Sequence, residues 1–199
     1  MKIIFCVPGR NFSNNFLVSW TKLIKYCNEN NIEYELSNGN VSIVHLARYA
    51  CLGINPETKC NPCKNPFGGK YQYDYIMWID SDMVFEPSDL QKLLDADKKI
   101  ITGVARIEQT NYLACHDMDH NKLTIKDIRD EIIPISFSGM AFMLIKKGVF
   151  ESMKFPYFTT DNPNIISETM SFCMNLNKTD IQLYAHMGVV IGHEKPMII

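Results

Sequence analysis

The sequence lacks a membrane-length apolar run: none of its segments approaches the ~20 residues that a spanning helix needs. It lacks a basic field as well. Twenty Lys and Arg stand against 22 Asp and Glu, a net charge of −2, so nothing favours wrapping nucleic acid. Internal repeats, low-complexity tracts and flexible linkers are absent too, and 199 residues with 46% hydrophobic content suit one globular domain. Paired cysteines are scarce. Of seven, Cys6, Cys51 and Cys173 lie in apolar segments, as small buried hydrophobes in a reducing compartment do. Cys60-x-x-Cys63 is the only close spacing. It could join Cys51 or His45 in a zinc site, but no second ligand pair has a matching spacing, and we expect no structural zinc. The run Ile3–Val7, stopped by Pro8-Gly9, is short for a signal-peptide core and reads as a first strand. The expected location is the cytoplasm.

What is present is an alternation of strand and helix patterns. A strand at 2–7 is followed by a helix over Asn14–Asn30, capped by Ser13 or Asn14, with Phe16, Trp20, Leu23, Ile24 and Cys27 as its apolar stripe. A strand at Ile32–Leu36 leads into a turn at Ser37–Asn40. A helix over Ser42–Leu52 would bury Ile43, Leu46, Ala47 and Ala50, and a Pro- and Gly-rich loop covers 53–72. Then come a strand at 75–79, a helix over Ser88–Ala96 and a strand over Lys99–Val104, an order that predicts a mostly parallel sheet. After Gly103 the pattern becomes mixed: β-like runs at 111–116, 122–126, 132–137 and 138–145, helices at 147–153 and 167–176, and strands at 181–185 and 187–192.

The strand at 75–79 ends in Asp80-Ser81-Asp82. In open α/β sheets ligands bind at the carboxyl ends of strands. Two carboxylates held close there are costly unless a cation neutralises them. Oxygen ligands suit Mg²⁺ or Mn²⁺, which commonly bridge to a substrate diphosphate. A second Asp-x-Asp, Asp117-Met118-Asp119, has polar flanks and no strand before it, and reads as a turn.

The segment Tyr73–Phe85 resembles the Asp-x-Asp motif of GT-A-fold glycosyltransferases, which use nucleotide-sugar donors, and further blocks follow in the family's order over roughly residues 1–193. Ile3–Arg10 resembles the first strand and loop that hold the nucleotide base, which implies donor contacts for Pro8 and Arg10. His45–Ala50 is similar to the helical Ala-Arg-Asn segment before the metal strand; it offers Arg48 to the donor, with a structural ion pair as the competing role, but has Tyr49 where Asn is common. Ser136–Phe142 resembles the small-residue segment lining the donor-sugar pocket, with Gly139 permitting close approach. Ile166–Cys173 resembles the segment carrying the catalytic acid of inverting members, with Glu168 present but Thr169 replacing the usual Asp. Glu168 is then either the general base or an acid favoured by the first turn of its helix. His193 stands where many such enzymes have a further metal ligand.

The resemblance implies a single α/β domain of GT-A type over 1–199. It would have a Rossmann-like, mostly parallel central sheet flanked by helices, a nucleotide-binding half at 1–104 and an acceptor- and metal-completing half at 105–199. It implies Mn²⁺ or Mg²⁺ as cofactor, with Asp82 on the metal, Asp80 on the ribose or a metal-bound water, and His193 completing the set. The partners would be a UDP- or GDP-linked sugar and a glycan or other hydroxyl acceptor. Two rival readings are a sugar-nucleotidyltransferase, for which Pro8-Gly9-Arg10-Asn11 is a poor triphosphate loop, and a nucleotide-sugar-binding module without turnover, which Thr169 makes possible.

Overall fold

Every residue from Ile3 to Val7 is buried, as the uninterrupted apolar run requires of a strand covered on both faces. This run forms β1 (Lys2–Pro8) of a computed structural model that describes residues 1–56, 65–159 and 167–194. β1 lies between two parallel neighbours, β2 (Glu33–Gly39) and β3 (Tyr75–Ile79). The full order is β2-β1-β3-β10-β5-β11-β4, with β8 also on β11. Here β4 is Met83–Val84, β5 Ile100–Ala105, β8 Ile132–Ile135, β10 Phe142–Lys146 and β11 Leu183–His193. A small second sheet, β7-β6-β9, uses β6 (Tyr112–His116), β7 (Lys122–Thr124) and β9 (Phe137–Ser138).

Alternation along β1 and β3 divides the core in two. Ile3, Phe5, Val7, Met77 and Ile79 face Phe16, Leu23 and Cys27 of α1 (Asn14–Glu29) and Leu90 and Leu93 of α3 (Pro87–Asp95). Ile4, Cys6, Ile76 and Trp78 face α2 (Val44–Cys51), α4 (Val149–Ser152) and α5 (Glu168–Leu176). The sheet is thus a middle layer between two helical layers. Ser13 caps α1, its hydroxyl accepting from Phe16 N at 3.0 Å. The five cysteines among the described residues are buried free thiols. Cys60 and Cys63 lie outside those residues. No helix among the described residues is long and apolar enough to cross a membrane.

Four expectations need correction. The sheet is mixed through its centre: β10 runs antiparallel between β3 and β5, and among the described residues β2/β1, β1/β3 and β5/β11 are the pairs that run in parallel. A strand apolar on both faces carries no mark of its direction. The turn expected at Ser37–Asn40 is mostly strand, because β2 pairs with β1 as far as Gly39. The two strands expected at 181–192 are one, β11, broken only by a register shift between Ala185 and Val190. α2 is rotated from its expected face: Ala47, Arg48, Tyr49 and Cys51 are buried, while Ile43 is exposed and Ala50 faces solvent.

Candidate functional site

Because β1, β2 and β3 are parallel, Pro8, Gly39 and Ile79 end at one edge of the sheet. The chain beyond them is tightly tied. Gly9 N donates to Gly39 O at 3.0 Å, Ser13 N to Ser81 O at 3.2 Å, and Asp80 N to Ala141 O at 3.0 Å. Met83 N donates to Asp80 O at 3.1 Å, closing the turn that holds Ser81 and Asp82. Gly9 has φ +143°, and a Cβ there would lie 2.4 Å from Ser81 Oγ. The Pro-Gly turn therefore brings the β1 loop onto the aspartate turn itself.

Period-2 alternation puts Asp80 on the face of Ile76 and Trp78, the side covered by α2. There it meets Arg48, a guanidinium only 3% exposed. Arg48 Nη2 lies 3.4 Å from Asp80 Oδ1, and Arg48 Nε donates to Glu168 Oε1 at 3.1 Å. The guanidinium also sits 5.4 Å from the Trp78 ring centre, within cation–π range. Burial works against the charge of Arg48, but Asp80 and Glu168 outweigh it and raise its proton affinity. Asp80 is pushed up by burial; Arg48 pulls it back, while Asp82 and Glu168 add to the rise. One guanidinium thus does not compensate the carboxylates gathered around it. Arg48 Nη1 and Asp80 Oδ1 are buried without a hydrogen bond.

Asp82 pairs elsewhere. β11 runs antiparallel to β4, setting His193 opposite Met83, and Glu194 N donates to Asp82 O at 2.9 Å. His193 Nε2 then lies 2.9 Å from Asp82 Oδ2. The three expected metal ligands are therefore divided, with Asp80 on Arg48 and Asp82 on His193. No group of three His, Cys, Asp or Glu is assembled for a metal among the described residues. The donor chemistry still suits a hard divalent cation: a carboxylate and an imidazole in contact at an open sheet edge.

A cavity of about 410 Å³ opens at this edge, lined by Pro8, Gly9, Arg10, Asp80, Ser81 and Asp82 on one side and by Val41, Ser42, Val44 and Ala47 on the other. Four of the residues singled out in the sequence, Pro8, Arg10, Asp80 and Asp82, thus share one space. Arg48 and Glu168 join it through Asp80, and His193 through Asp82. Arg10 is anchored by its Nε, which donates to Asn40 O at 2.9 Å. Gly139 is not among the lining residues. It lies just past β9, its N donating to Ala114 O at 2.9 Å, and a Cβ there would make only ordinary contacts.

The apolar wall at Val41 and Val44 was not foreseen. Its signal was a pair of β-branched residues flanking Ser42 where a helix start usually carries a polar cap. α2 begins at Ile43 with no side-chain cap, which leaves first-turn N–H groups open beside the cavity. Tyr49, the departure from the Ala-Arg-Asn pattern, proves structural. Its buried hydroxyl donates to Phe158 O and accepts from Phe158 N, both at 3.0 Å. Tyr49→Phe should cost about 1–3 kcal/mol, since two buried backbone groups lose their partner; urea unfolding of the variant checks this.

No protein-family model matches the sequence, and no curated protein matches it. Among solved structures the chain is similar to A197 from STIV, with a TM-score of 0.64, 18% identity, and coverage of 98% of this chain and 87% of that one. That likeness shows a shared fold. A weaker likeness, TM-score 0.49 at 11% identity, is to GalNAc-T7 with UDP, GalNAc and Mn²⁺, and takes in 94% of this chain and 37% of that one. The chain is a mixed α/β protein whose fold is shared with A197 from STIV.

Proposed function

We propose that this chain is a metal-dependent glycosyltransferase of GT-A type, moving a sugar from a UDP- or GDP-linked donor to a hydroxyl acceptor with inversion. One transferase domain would span 1–199, with donor binding in 1–104 and acceptor and metal completion in 105–199. The observation that carries the reading is the aspartate turn at the carboxyl edge of β3. It lines an open cavity with more carboxylate charge nearby than Arg48 compensates. A divalent cation would relieve that excess and leave the ion able to bridge to a diphosphate. Asp82 and His193 would hold Mn²⁺ or Mg²⁺. When bound, the ion supplies Lewis-acid stabilisation of the leaving diphosphate.

The chain's own residues account for the remaining contacts. Asp80 orients the ribose, and Arg48 holds Asp80 and Glu168 in place. Pro8, Val41 and Val44 give a planar base an apolar wall. Arg10 and the uncapped start of α2 offer donors to phosphate. Gly139, just past β9, would line the side of the donor sugar. Glu168 takes the proton of the attacking hydroxyl.

A second reading, a nucleotide-sugar-binding module without turnover, draws support from Thr169. Its hydroxyl is within 3.0 Å of Ser167 Oγ, on the helix start, and supplies no second acid. Slow metal-dependent hydrolysis of a bound donor would separate the two. The nucleotidyltransferase reading loses ground because Gly9 is packed on Ser81 and leaves no glycine-rich loop for a triphosphate.

A panel of UDP-, GDP- and CMP-sugars, screened by thermal shift with Mn²⁺, should find one nucleotide that stabilises the protein only with metal. Asp82→Asn should weaken that Mn²⁺-dependent binding by about 10–100-fold with the fold intact. Wild-type affinity of this variant, measured by calorimetry, would overturn the assignment.

A further inference from the structure

A second cavity of about 410 Å³ lies between α5 and the small sheet. Its α5 side is one helix face: Met170, Cys173, Met174 and Asn177, at i, i+3, i+4 and i+7. Opposite stand His116 and Phe137, whose rings lie 5.0 Å apart and tilted by 47°. This size and lining, apolar with few polar groups, are those of a small-molecule site.

The polar groups are specific. Ser136 Oγ donates to Asp117 O at 2.5 Å, so it can only accept from His120 Nδ1, at 3.0 Å. His120 then carries its proton on Nδ1, and in the neutral ring Nε2 remains as an acceptor. Burial lowers the His116 pKa, with Lys122 and His120 acting the same way. Ser167 Oγ is already engaged by Met170 N and Thr169 Oγ1. Among the described residues the wall offers a ligand little more than imidazole nitrogens and the Asn177 amide, and no carboxylate, Lys or Arg of those residues lines it. Methionine sulfur and aromatic rings favour an aromatic body.

We infer that this cavity binds an uncharged aromatic compound bearing hydroxyl groups, an aryl alcohol or aryl glycoside, with ring contacts to Phe137, Met170 and Met174 and a hydroxyl donating to His120 Nε2. Calling this ligand the acceptor rests on the transferase reading; the binding itself does not. Ser167 lines the cavity and the next residue is Glu168, which is paired to Arg48 beside the first cavity. The start of α5 therefore lines this cavity and is linked to the first one through Arg48 and Asp80.

The test is calorimetry on the full chain without any nucleotide, comparing phenyl β-glucoside with methyl β-glucoside. The phenyl compound should bind at least tenfold more tightly. Met174→Lys should abolish that preference, and since Met174 is 43% exposed the variant should keep its fold. Equal affinity of the two glucosides overturns the aromatic assignment, and a preference that survives Met174→Lys overturns the placement. If neither glucoside binds while a nucleotide diphosphate binds with Mn²⁺, this inference fails and the donor reading stands. If the phenyl compound binds as described but no nucleotide does, the cavity stands and the transferase reading fails.

Discussion

Arg48→Ala is expected to destabilise the protein by about 3–5 kcal/mol, the range for removing one partner of a buried ion pair. Asp80 and Glu168 both lean on this guanidinium, their side chains only 29% and 15% exposed. Without it two carboxylates would be left together beside Trp78, which is fully buried. The charge, more than the lost volume, sets the size of the effect. Two further variants separate these causes. Arg48→Lys keeps the charge but loses the planar fork that serves two carboxylates, and should recover part of the loss. In the double variant Arg48→Ala/Glu168→Gln one stranded charge is gone, so it should be more stable than Arg48→Ala alone. Urea unfolding of the three proteins reads these differences directly. A loss below about 1 kcal/mol for Arg48→Ala, the scale of a surface ion pair, would show that the cluster is hydrated and not a structural centre.

On the proposed transferase reading, Glu168→Gln carries the largest expected effect on catalysis. The amide keeps the size of the side chain and can still accept from Arg48 Nε, but it cannot take a proton from an acceptor hydroxyl. Transfer should fall about a hundredfold or more, the scale for a general base, with donor and Mn²⁺ affinity nearly unchanged. Glu168 opens α5 behind the cap Ser167, whose Oγ accepts from Met170 N at 3.2 Å. An acid at that position also favours the helix by facing its positive end. The two roles give different readouts. A base shows as a loss in kcat at constant donor affinity, whereas a helix-end acid shows only as a small loss of stability. Wild-type transfer by Glu168→Gln would leave Glu168 with the structural role alone and remove the main support for inversion.

The elements legible from pattern were those whose residues carry a one-dimensional signal. The buried run of β1, the strand ending in Asp80-Ser81-Asp82, the cap at Ser13 and the helix opened by Ser167 all have it. The signals behind them, apolar periodicity and side-chain acceptors at helix starts, act within a few residues. Where the partner came from far along the chain, the pattern misled. Arg48 read as a polar residue beside an apolar stripe, yet it is buried, because Asp80 lies 32 positions later and Glu168 120 positions later. α2 turns to follow it, leaving Ile43 in solvent. His193 reaches Asp82 only because β11 returns antiparallel to β4.

By itself, the sequence determined that Ile3–Val7 and 75–79 are buried strands and that two carboxylates end the second, since these follow from residue type and local period. The tertiary structure alone decided that β10 enters the sheet antiparallel, that one buried arginine serves Asp80 and Glu168 together, and that Met170 and Met174 close a cavity against His116 and Phe137. The reason is physical. Strand direction and charge pairing are set by which distant surfaces must be covered and which charges must be compensated at once, and no local window of the chain contains both partners.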